Sequence, residues 1–190
     1  MNRRSLLRGA AATLVVSACG SPAATPGGTA TNSPSQSPGP ATKATVELAK
    51  GGSFTFTLRP DKAPNTVANF AKKSRAGEYD GTTFHRVVAG FVAQGGDPLS
   101  KTLPAGDGRL GTGGGQQPTE LSDLPFVTGA VGVARGGDIK VSNDSQFYVC
   151  LGDAPHLNGQ YTNFGLVTGG GMDVVNGIKI GDKIKTIKIE

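Results

Sequence analysis

The most informative part of the chain reads Phe84-His85-Arg86-Val87-Val88-Ala89-Gly90-Phe91-Val92-Ala93-Gln94-Gly95-Gly96-Asp97. Apolar residues flank Arg86, and Ala89-Gly90 separates two apolar runs, which predicts a strand, a turn and a second strand. Such an arrangement can aim Arg86, Phe91 and Gln94 at a single site. For an isolated Arg, an edge strand with a solvated side chain is the simpler interpretation, so this stretch alone leaves both interpretations open.

Strand patterns continue on both sides of this stretch. Residues 45–48 and 54–58 alternate apolar and polar side chains around Lys50-Gly51-Gly52, which predicts a hairpin with one buried face. Residues 145–151 form another apolar strand, and residues 184–189 alternate as a closing strand. The chain is therefore expected to be rich in β structure.

Two short helices and one long loop complete the expected elements. Residues 64–73 place apolar side chains at positions i, i+3 and i+4, with Pro at the start and Lys at the end, which predicts an amphipathic helix. A second short helix is predicted over 172–177, and the Gly-rich residues 99–125 are predicted to form a loop. The 30 Gly and 12 Pro argue against a helical bundle. Several strands with two short helices favour a closed β-barrel whose open ends are covered by the helices.

The net charge of +5 comes mainly from the N-terminus. The first 42 residues contain three Arg and no acidic residue, which leaves 16 basic and 14 acidic side chains in residues 43–190. A nearly balanced domain gives no reason to expect a nucleic-acid partner. Two Cys are too few for a disulfide framework or a four-thiolate zinc site.

The first 18 residues have the layout of a secretory signal peptide, with a cationic start followed by an apolar run. That run ends in Val16-Ser17-Ala18-Cys19, which resembles the lipobox of bacterial lipoproteins, where Cys19 would be lipidated and become the new N-terminus. A signal peptide that happens to contain a cysteine is the alternative. Arg3-Arg4 also resembles a twin-arginine export motif, although paired Arg is common in ordinary signal peptides. We therefore expect export and a lipid anchor on the outer face of a bacterial membrane.

Residues 19–42 hold the predicted lipid attachment site and a linker. From residue 20 onward the segment contains only Gly, Ser, Pro, Ala and Thr apart from Asn32 and Gln36. Because it has no charge and no large apolar side chain, it cannot bury a core, and we predict a disordered spacer. The folded domain is expected over residues 43–190.

Several motifs of this domain occur together in one known family. Residues 84–97 resemble the signature of the cyclophilin-type peptidyl-prolyl isomerases. Further matching motifs are Pro64-Asn65-Thr66-Val67-Ala68-Asn69-Phe70, Tyr79-Asp80-Gly81-Thr82, Gly111-Thr112-Gly113-Gly114, Ser145-Gln146-Phe147-Tyr148, Leu157-Asn158-Gly159 and Phe164-Gly165. The resemblance implies a mainly β fold, a closed eight-stranded antiparallel β-barrel capped by two short α-helices. It also implies an isomerase that accelerates rotation about X–Pro bonds without a cofactor or a metal.

The resemblance also implies roles for individual residues. Arg86 would donate a hydrogen bond to the prolyl nitrogen, and Gln94 would hold backbone or carbonyl groups of the substrate, so both are assigned as catalytic. The residues implied to contact the substrate are Phe91, Val92, Tyr148, Leu157, Tyr161, His156, Ala134 and Arg135. None of these is a nucleophile or a general base, and the reaction needs neither.

Three positions depart from the residues usual in the family. Tyr148 stands in place of Phe and adds a hydroxyl at the pocket wall, which is expected to alter the preference for the residue beside proline. His156 stands where many members carry a Trp that contacts cyclosporin, so we expect weak cyclosporin binding with catalysis retained. Arg135 stands in place of Asn and changes the charge of the groove. The loop over residues 136–143 is predicted to be longer than usual.

Other chemistries have weak support. His85, His156 and Asp97 lack the spacing of metal ligands. The run Gly111–Gly115 lacks the Lys-Ser/Thr that a phosphate-binding loop needs. Cys150 lies in an apolar strand and is expected to be a core residue.

We expect a monomer whose partners are Pro-containing peptides and unfolded exported proteins. The alternative function is a membrane-tethered binding module or chaperone for Pro-containing segments, with incidental catalysis. Arg86, Phe91 and Gln94 together favour the enzyme, because binding alone needs no donor aimed at the prolyl nitrogen.

Overall fold

The computed structural model describes residues 40–190, which form a curled antiparallel sheet with two α-helices. The nine strands are β1 (Lys43–Leu48), β2 (Ser53–Leu58), β3 (Phe84–Val88), β4 (Val92–Gly95), β5 (Gln116–Pro118), β6 (Ala130–Arg135), β7 (Val141–Cys150), β8 (Asn163–Thr168) and β9 (Ile184–Ile189). The helices are α1 (Pro64–Arg75) and α2 (Gly171–Asn176). The predicted signal peptide, the predicted lipid attachment site Cys19 and nearly all of the predicted linker lie outside the described residues.

The strands follow the spatial order β3-β4-β7-β6-β8-β2-β1-β9, with the short β5 paired to β7. Every pairing is antiparallel, and the predicted β1–β2 hairpin is confirmed, with Val46 opposite Phe54. The predicted turn at Ala89-Gly90 is also confirmed. It joins β3 to β4, which pair in antiparallel fashion, with Val88 opposite Val92 next to the turn. Both hairpins were predictable because each joins two strand-like runs through a short turn. The runs of β1 and β2 alternate, and those of β3 and β4 are mainly apolar.

The prediction of a closed barrel is wrong, because the sheet is an open half-barrel. The edge strands β3 and β9 meet only near a single isolated antiparallel bridge between Thr83 and Lys183. From that bridge, β3 runs towards Val88 and β9 runs towards Ile189. Since antiparallel strands leave a shared bridge in opposite directions, the two edges diverge and form no continuous ladder.

Three further differences from the sequence-based expectations concern the middle of the chain. Strands β6 and β8 had not been anticipated, and they lie at the centre of the sheet. Strand β7 begins at Val141, so the loop predicted over 136–143 spans only residues 136–140. The predicted loop over 99–125 contains β5 and a 3-10 turn that begins at Pro98.

Both predicted helices are confirmed and lie against the sheet. Helix α1 packs on β7 and β9, and α2 packs on β2 and β8. Pro64 starts α1, and three basic side chains lie in its last turn, where they interact favourably with the helix dipole. No helix within residues 40–190 is long and apolar enough to cross a membrane.

The main core lies between α1 and the concave side of the sheet, and Phe70 is at its aromatic centre. The Phe70 ring centroid lies 5.2 Å from those of Tyr79 and Phe164, 5.6 Å from that of Phe147 and 5.8 Å from that of Phe56. Such tilted and edge-to-face pairs contribute stability beyond the area that they bury.

Replacing Phe70 by Ala is expected to lower the free energy of unfolding by about 3–5 kcal/mol, because it leaves a cavity among four aromatic rings. Urea unfolding followed by circular dichroism measures the change. Leu121→Ala is the control, since Leu121 is 49% exposed and should change stability by less than about 0.5 kcal/mol. Equal losses in the two variants would contradict this account of the core.

Candidate active site

Strand register places Arg86, Gln94 and Tyr148 in one row across three neighbouring strands. Arg86 of β3 lies opposite Gln94 of β4, and Gln94 lies opposite Tyr148 of β7. Directly opposed residues of antiparallel strands project to the same face of a sheet. The three side chains therefore share one face, and that face is turned away from the main core.

Strand β7 separates the main core from a second apolar cluster on the outer face. Phe147 and Val149 point into the main core, whereas Tyr148 and Cys150 belong to the second cluster with Phe126 and other residues. The remaining buried members of this second cluster are Val92, Ala130, Ala154 and Leu157. The outer face is thus apolar enough to line a binding cavity.

A cavity of about 260 Å³ opens beside this row of residues. Its lining residues are Arg86, Phe91, Val92, Gln94, Ala134, Arg135, Tyr148, Leu157 and Tyr161. The structure therefore brings nine of the ten predicted catalytic and substrate-contacting residues to one cavity. The cavity has apolar and aromatic walls with polar side chains on one side, which is the usual composition of a small-ligand site.

Phe91 contacts both the Arg86 guanidinium and His156. The guanidinium carbon of Arg86 is 5.8 Å from the centroid of the Phe91 ring, within the range of a cation–π interaction. His156 is the tenth predicted residue; it is exposed, does not line the cavity and packs against Phe91 with ring centroids 5.3 Å apart. The expected weak binding of cyclosporin at this position stays a prediction.

The side-chain amide of Gln94 is held by a chain of hydrogen bonds that leads to a buried carboxylate. Gln94 Nε2 donates to Gln146 Oε1 at 3.0 Å, and Gln146 Nε2 donates to the carbonyl of Gly113 at 2.7 Å. The fully buried Asp97 carboxylate accepts hydrogen bonds from the backbone amides of Gly111 and Gly113. Gln94 is therefore positioned by a network that also fixes the Gly-rich loop.

Arg135 stands at the end of β6 beside the same cavity. Its guanidinium carbon lies 4.3 Å from the centroid of the Tyr161 ring, and its Nε donates to the carbonyl of Gln160 at 2.8 Å. Arg135 and Ala134 also line a second cavity of about 190 Å³ on the side of β5 and the Gly-rich loop. Gln94 lines both cavities, so the two form neighbouring parts of one groove.

The Tyr148 ring depends on the absence of a side chain at Gly132. Gly132 lies opposite Tyr148 in the β6–β7 ladder, and a Cβ at Gly132 would overlap the end of the Tyr148 ring. The Tyr148 hydroxyl is buried and has no hydrogen-bond partner among residues 40–190. Burial is also the main cause that raises the pKa of Tyr148.

Burial shifts the pKa of two titratable groups on the strands that carry the site. Burial lowers the pKa of His85, although the Asp97 carboxylate acts in the opposite direction, so this imidazole is neutral at neutral pH. Cys150 is fully buried, and burial raises the pKa of its thiol to about 12. Within residues 40–190, no three His, Cys, Asp or Glu side chains cluster as metal ligands would.

Sequence reasoning assigned no role at the site to Gln146, Gly132 or Asp97. A polar Gln146 inside an apolar strand was an available signal, because a buried amide needs hydrogen-bond partners. The contacts of Gly132 and Asp97 depend on strands and loops that are distant in sequence. Those two roles became visible only in the fold.

A family comparison now fits this geometry. A model described as cyclophilin type peptidyl-prolyl cis-trans isomerase/CLD matches residues 43–190. The chain belongs to the cyclophilin-type peptidyl-prolyl cis-trans isomerases. As a member of this family, the protein is an isomerase that catalyses rotation about peptide bonds preceding proline.

Relatives of this cyclophilin-type isomerase occur in several bacteria. It is 45% identical over 139 residues to a probable peptidyl-prolyl cis-trans isomerase of Brucella suis, an alignment that covers 70% of each chain. It is 40% identical over 149 residues to a peptidyl-prolyl cis-trans isomerase of Synechococcus elongatus, covering 78% of this chain and 96% of the relative.

A solved structure of the family shares the fold. The crystal structure of a cyclophilin-type isomerase from Cryptosporidium parvum is 26% identical and gives a TM-score of 0.67, covering 79% of this chain and 98% of that chain. A second crystal structure of that enzyme, in the presence of the dipeptide Ala-Pro, gives a TM-score of 0.66 at 26% identity, covering 78% of this chain and 98% of that chain.

Replacing Tyr148 by Phe is expected to raise the free energy of unfolding of this isomerase by about 1 kcal/mol, because an unpartnered buried hydroxyl is removed while the ring stays. Urea unfolding measures the change. Tyr161→Phe is the control, since Tyr161 is only half-buried and its hydroxyl is not among the buried, unpartnered atoms. A loss of stability in Tyr148→Phe would show that the hydroxyl makes a favourable hydrogen bond.

Proposed function

We propose that Arg86 is the hydrogen-bond donor that stabilises the twisted X–Pro bond. A planar X–Pro bond resists rotation because the nitrogen lone pair is delocalised into the carbonyl, which gives a barrier of about 18–20 kcal/mol. At a twist of 90° the lone pair is localised on the prolyl nitrogen, which becomes a hydrogen-bond acceptor. A donor aimed at that atom binds the twisted state better than either planar state and so lowers the barrier.

Arg86 suits this role because its guanidinium is always protonated and its donors are free. It lines the cavity, is exposed, and makes no hydrogen bond or ion pair within residues 40–190. Its place in one row with Gln94, beside apolar walls large enough for a proline ring, is the observation that carries the proposal.

The apolar part of the cavity has to supply the rest of the rate enhancement. A charge-assisted hydrogen bond contributes about 1.5–3 kcal/mol, whereas four decades of acceleration require about 5.5 kcal/mol. Phe91, Val92, Tyr148 and Leu157 would hold the proline ring. An apolar site also disfavours the charge-separated planar form of the amide relative to the twisted form.

Gln94 would hold a backbone or carbonyl group of the substrate while the proline ring is fixed. Because Gln146 orients the Gln94 amide, a substrate carbonyl would meet the remaining N–H of Nε2, and a substrate backbone N–H would meet Oε1. Ala134, Arg135 and Tyr161 would line the path of the peptide beside the proline. The Cryptosporidium relative studied in the presence of Ala-Pro supports proline-containing peptides as ligands of this groove.

Replacing Arg86 by Ala is expected to lower kcat by about 10- to 150-fold with a much smaller change in peptide affinity, because the lost hydrogen bond forms only in the twisted state. NMR exchange spectroscopy on an Ala-Pro peptide gives the rate, and titration calorimetry gives the affinity.

Arg75→Ala is the matched control for Arg86→Ala. Arg75 is an exposed Arg at the end of α1 that does not line the cavity, so its loss should leave both quantities unchanged. Equal losses of kcat and affinity in Arg86→Ala would contradict the proposed role. Peptide binding without turnover by the wild-type protein would favour the binding module instead.

We further propose that the enzyme works on exported proteins from a lipid anchor at Cys19. The support lies in the sequence, where a cationic start, an apolar run and Val16-Ser17-Ala18-Cys19 precede a polar spacer. Several acyl chains would make such anchoring stable, because each buried CH₂ contributes about 0.8 kcal/mol. A tethered monomer of this kind would meet unfolded chains as they emerge from the membrane.

Growing cells with a fatty-acid analogue is expected to label the protein, and Cys19→Ser is expected to abolish the labelling. Cys150→Ala is the matched control, since the Cys150 thiol is fully buried and stays protonated. Gel fluorescence after click coupling measures incorporation. Label that persists in Cys19→Ser would refute the anchor and leave a simply secreted enzyme.

A further inference from the structure

The substrate groove carries positive charge that no acidic lining residue neutralises. The two neighbouring cavities share Gln94, Ala134 and Arg135, and their combined lining contains Arg86 and Arg135 but no Asp or Glu. An extended peptide whose proline occupies the larger cavity places side chains one to three residues away within about 10 Å along the backbone. Side chains at this distance from the proline can reach the adjoining cavity.

Arg135 is held rigidly at the boundary between the two cavities. Its guanidinium stacks on Tyr161, its Nε donates to the Gln160 carbonyl, and its Nη1 donates to the carbonyls of Gly136 at 2.8 Å and Gly137 at 3.4 Å. Those contacts fix the plane of the guanidinium. Its Nη2 makes no hydrogen bond within residues 40–190, so two donors remain for a ligand.

The nearby acidic side chains are engaged elsewhere. Asp138 accepts a hydrogen bond from the backbone amide of Lys140 at 2.8 Å. Asp144 accepts one from the amide of Gly115 at 2.6 Å and lies 3.4 Å from the ammonium group of Lys73. Asp97 is fully buried and bonds to loop amides. No described carboxylate therefore forms an ion pair with Arg135.

We propose that Arg135 makes this isomerase selective for proline segments that carry an acidic side chain one to three residues from the proline. The carboxylate of that side chain accepts hydrogen bonds from Nη2 of Arg135. A fixed guanidinium favours this contact because little side-chain freedom is lost on binding. The proposal rests on the proposed function in one respect, that the proline ring occupies the larger cavity.

The test is a scan of peptides in which each of the three positions on either side of proline carries Glu, Gln or Lys. Full-length protein is expected to show, at one position or more, a preference of about five- to tenfold for Glu over Gln in kcat/KM, with Lys below Gln. The effect should lie in KM, because the contact forms in every state of the X–Pro bond. It should shrink in about 0.5 M salt, where exposed charges are screened.

Arg135→Asn is expected to reduce the Glu-to-Gln ratio to less than about twofold, and Arg135→Lys to retain part of it, since Lys keeps the charge but loses the planar fork. Lys72→Asn is the matched control. Lys72 is an exposed cation on α1 that lines neither cavity, so its removal should leave the ratio unchanged.

Two outcomes would overturn the proposal. One is the absence of any Glu preference at all six positions while Gln peptides turn over. The other is a Glu preference that persists undiminished in Arg135→Asn. Titration calorimetry with the same peptides measures affinity without turnover, so it tests the selectivity of Arg135 independently of the catalytic role of Arg86. A Glu preference in affinity without turnover would support the selectivity and refute the catalytic assignment.

Discussion

Residues 145–150 of strand β7 are buried on both faces of the strand, and the position of the whole site depends on this. Phe147 and Val149 pack into the main core, and Tyr148 and Cys150 pack into the cluster on the outer face. Because side chains alternate along a strand, a slip of one residue would exchange the two sets. The main core therefore sets the register that aligns Tyr148 with Gln94 and Arg86.

A second constraint is electrostatic and lies beneath the Gly-rich loop. The buried Asp97 carboxylate is compensated by backbone amides rather than by a cation, including those of Leu99 and Gly111. Because an ionised group is costly to bury without such partners, the loop is held close to the sheet. Through Gln146, the same loop orients Gln94, so a buried carboxylate outside the cavity helps to set the direction of a side chain that lines it.

The sequence predicted the elements whose signals are local. The β1–β2 hairpin, α1, α2 and the turn at Ala89-Gly90 each follow from alternation, helical spacing or turn residues within a few positions. Strands β6 and β8 gave no such signal, because both contain glycines where a neighbouring strand carries a large side chain. A Cβ at Gly132 would meet Tyr148, and a Cβ at Gly165 would meet Phe56.

Contacts between segments distant in the chain could not be predicted from the sequence either. Glu120 accepts hydrogen bonds from the backbone amides of Asn65 and Thr66 and so caps α1 from 54 residues away. The sheet stays open between β3 and β9 because these strands run in opposite directions from their shared bridge. Predicting the number of strands does not predict these directions. For the site, the resemblance supplied the cavity residues, whereas the partners that orient Gln94 required the fold.

Aromatic rings hold both guanidinium groups of the groove. Arg86 lies over Phe91 and Arg135 lies over Tyr161, with 5.8 and 4.3 Å between each guanidinium carbon and its ring centroid. A ring face stabilises an exposed cation by about 0.5–1 kcal/mol and occupies none of its N–H donors. A carboxylate partner would hold each Arg more tightly, but a substrate would first have to displace it. Phe91 and Tyr161 are also cavity walls, so the rings that line the cavity help to hold its two cations. Among residues 40–190 the donors of Arg86 and the Nη2 donors of Arg135 stay free for a ligand.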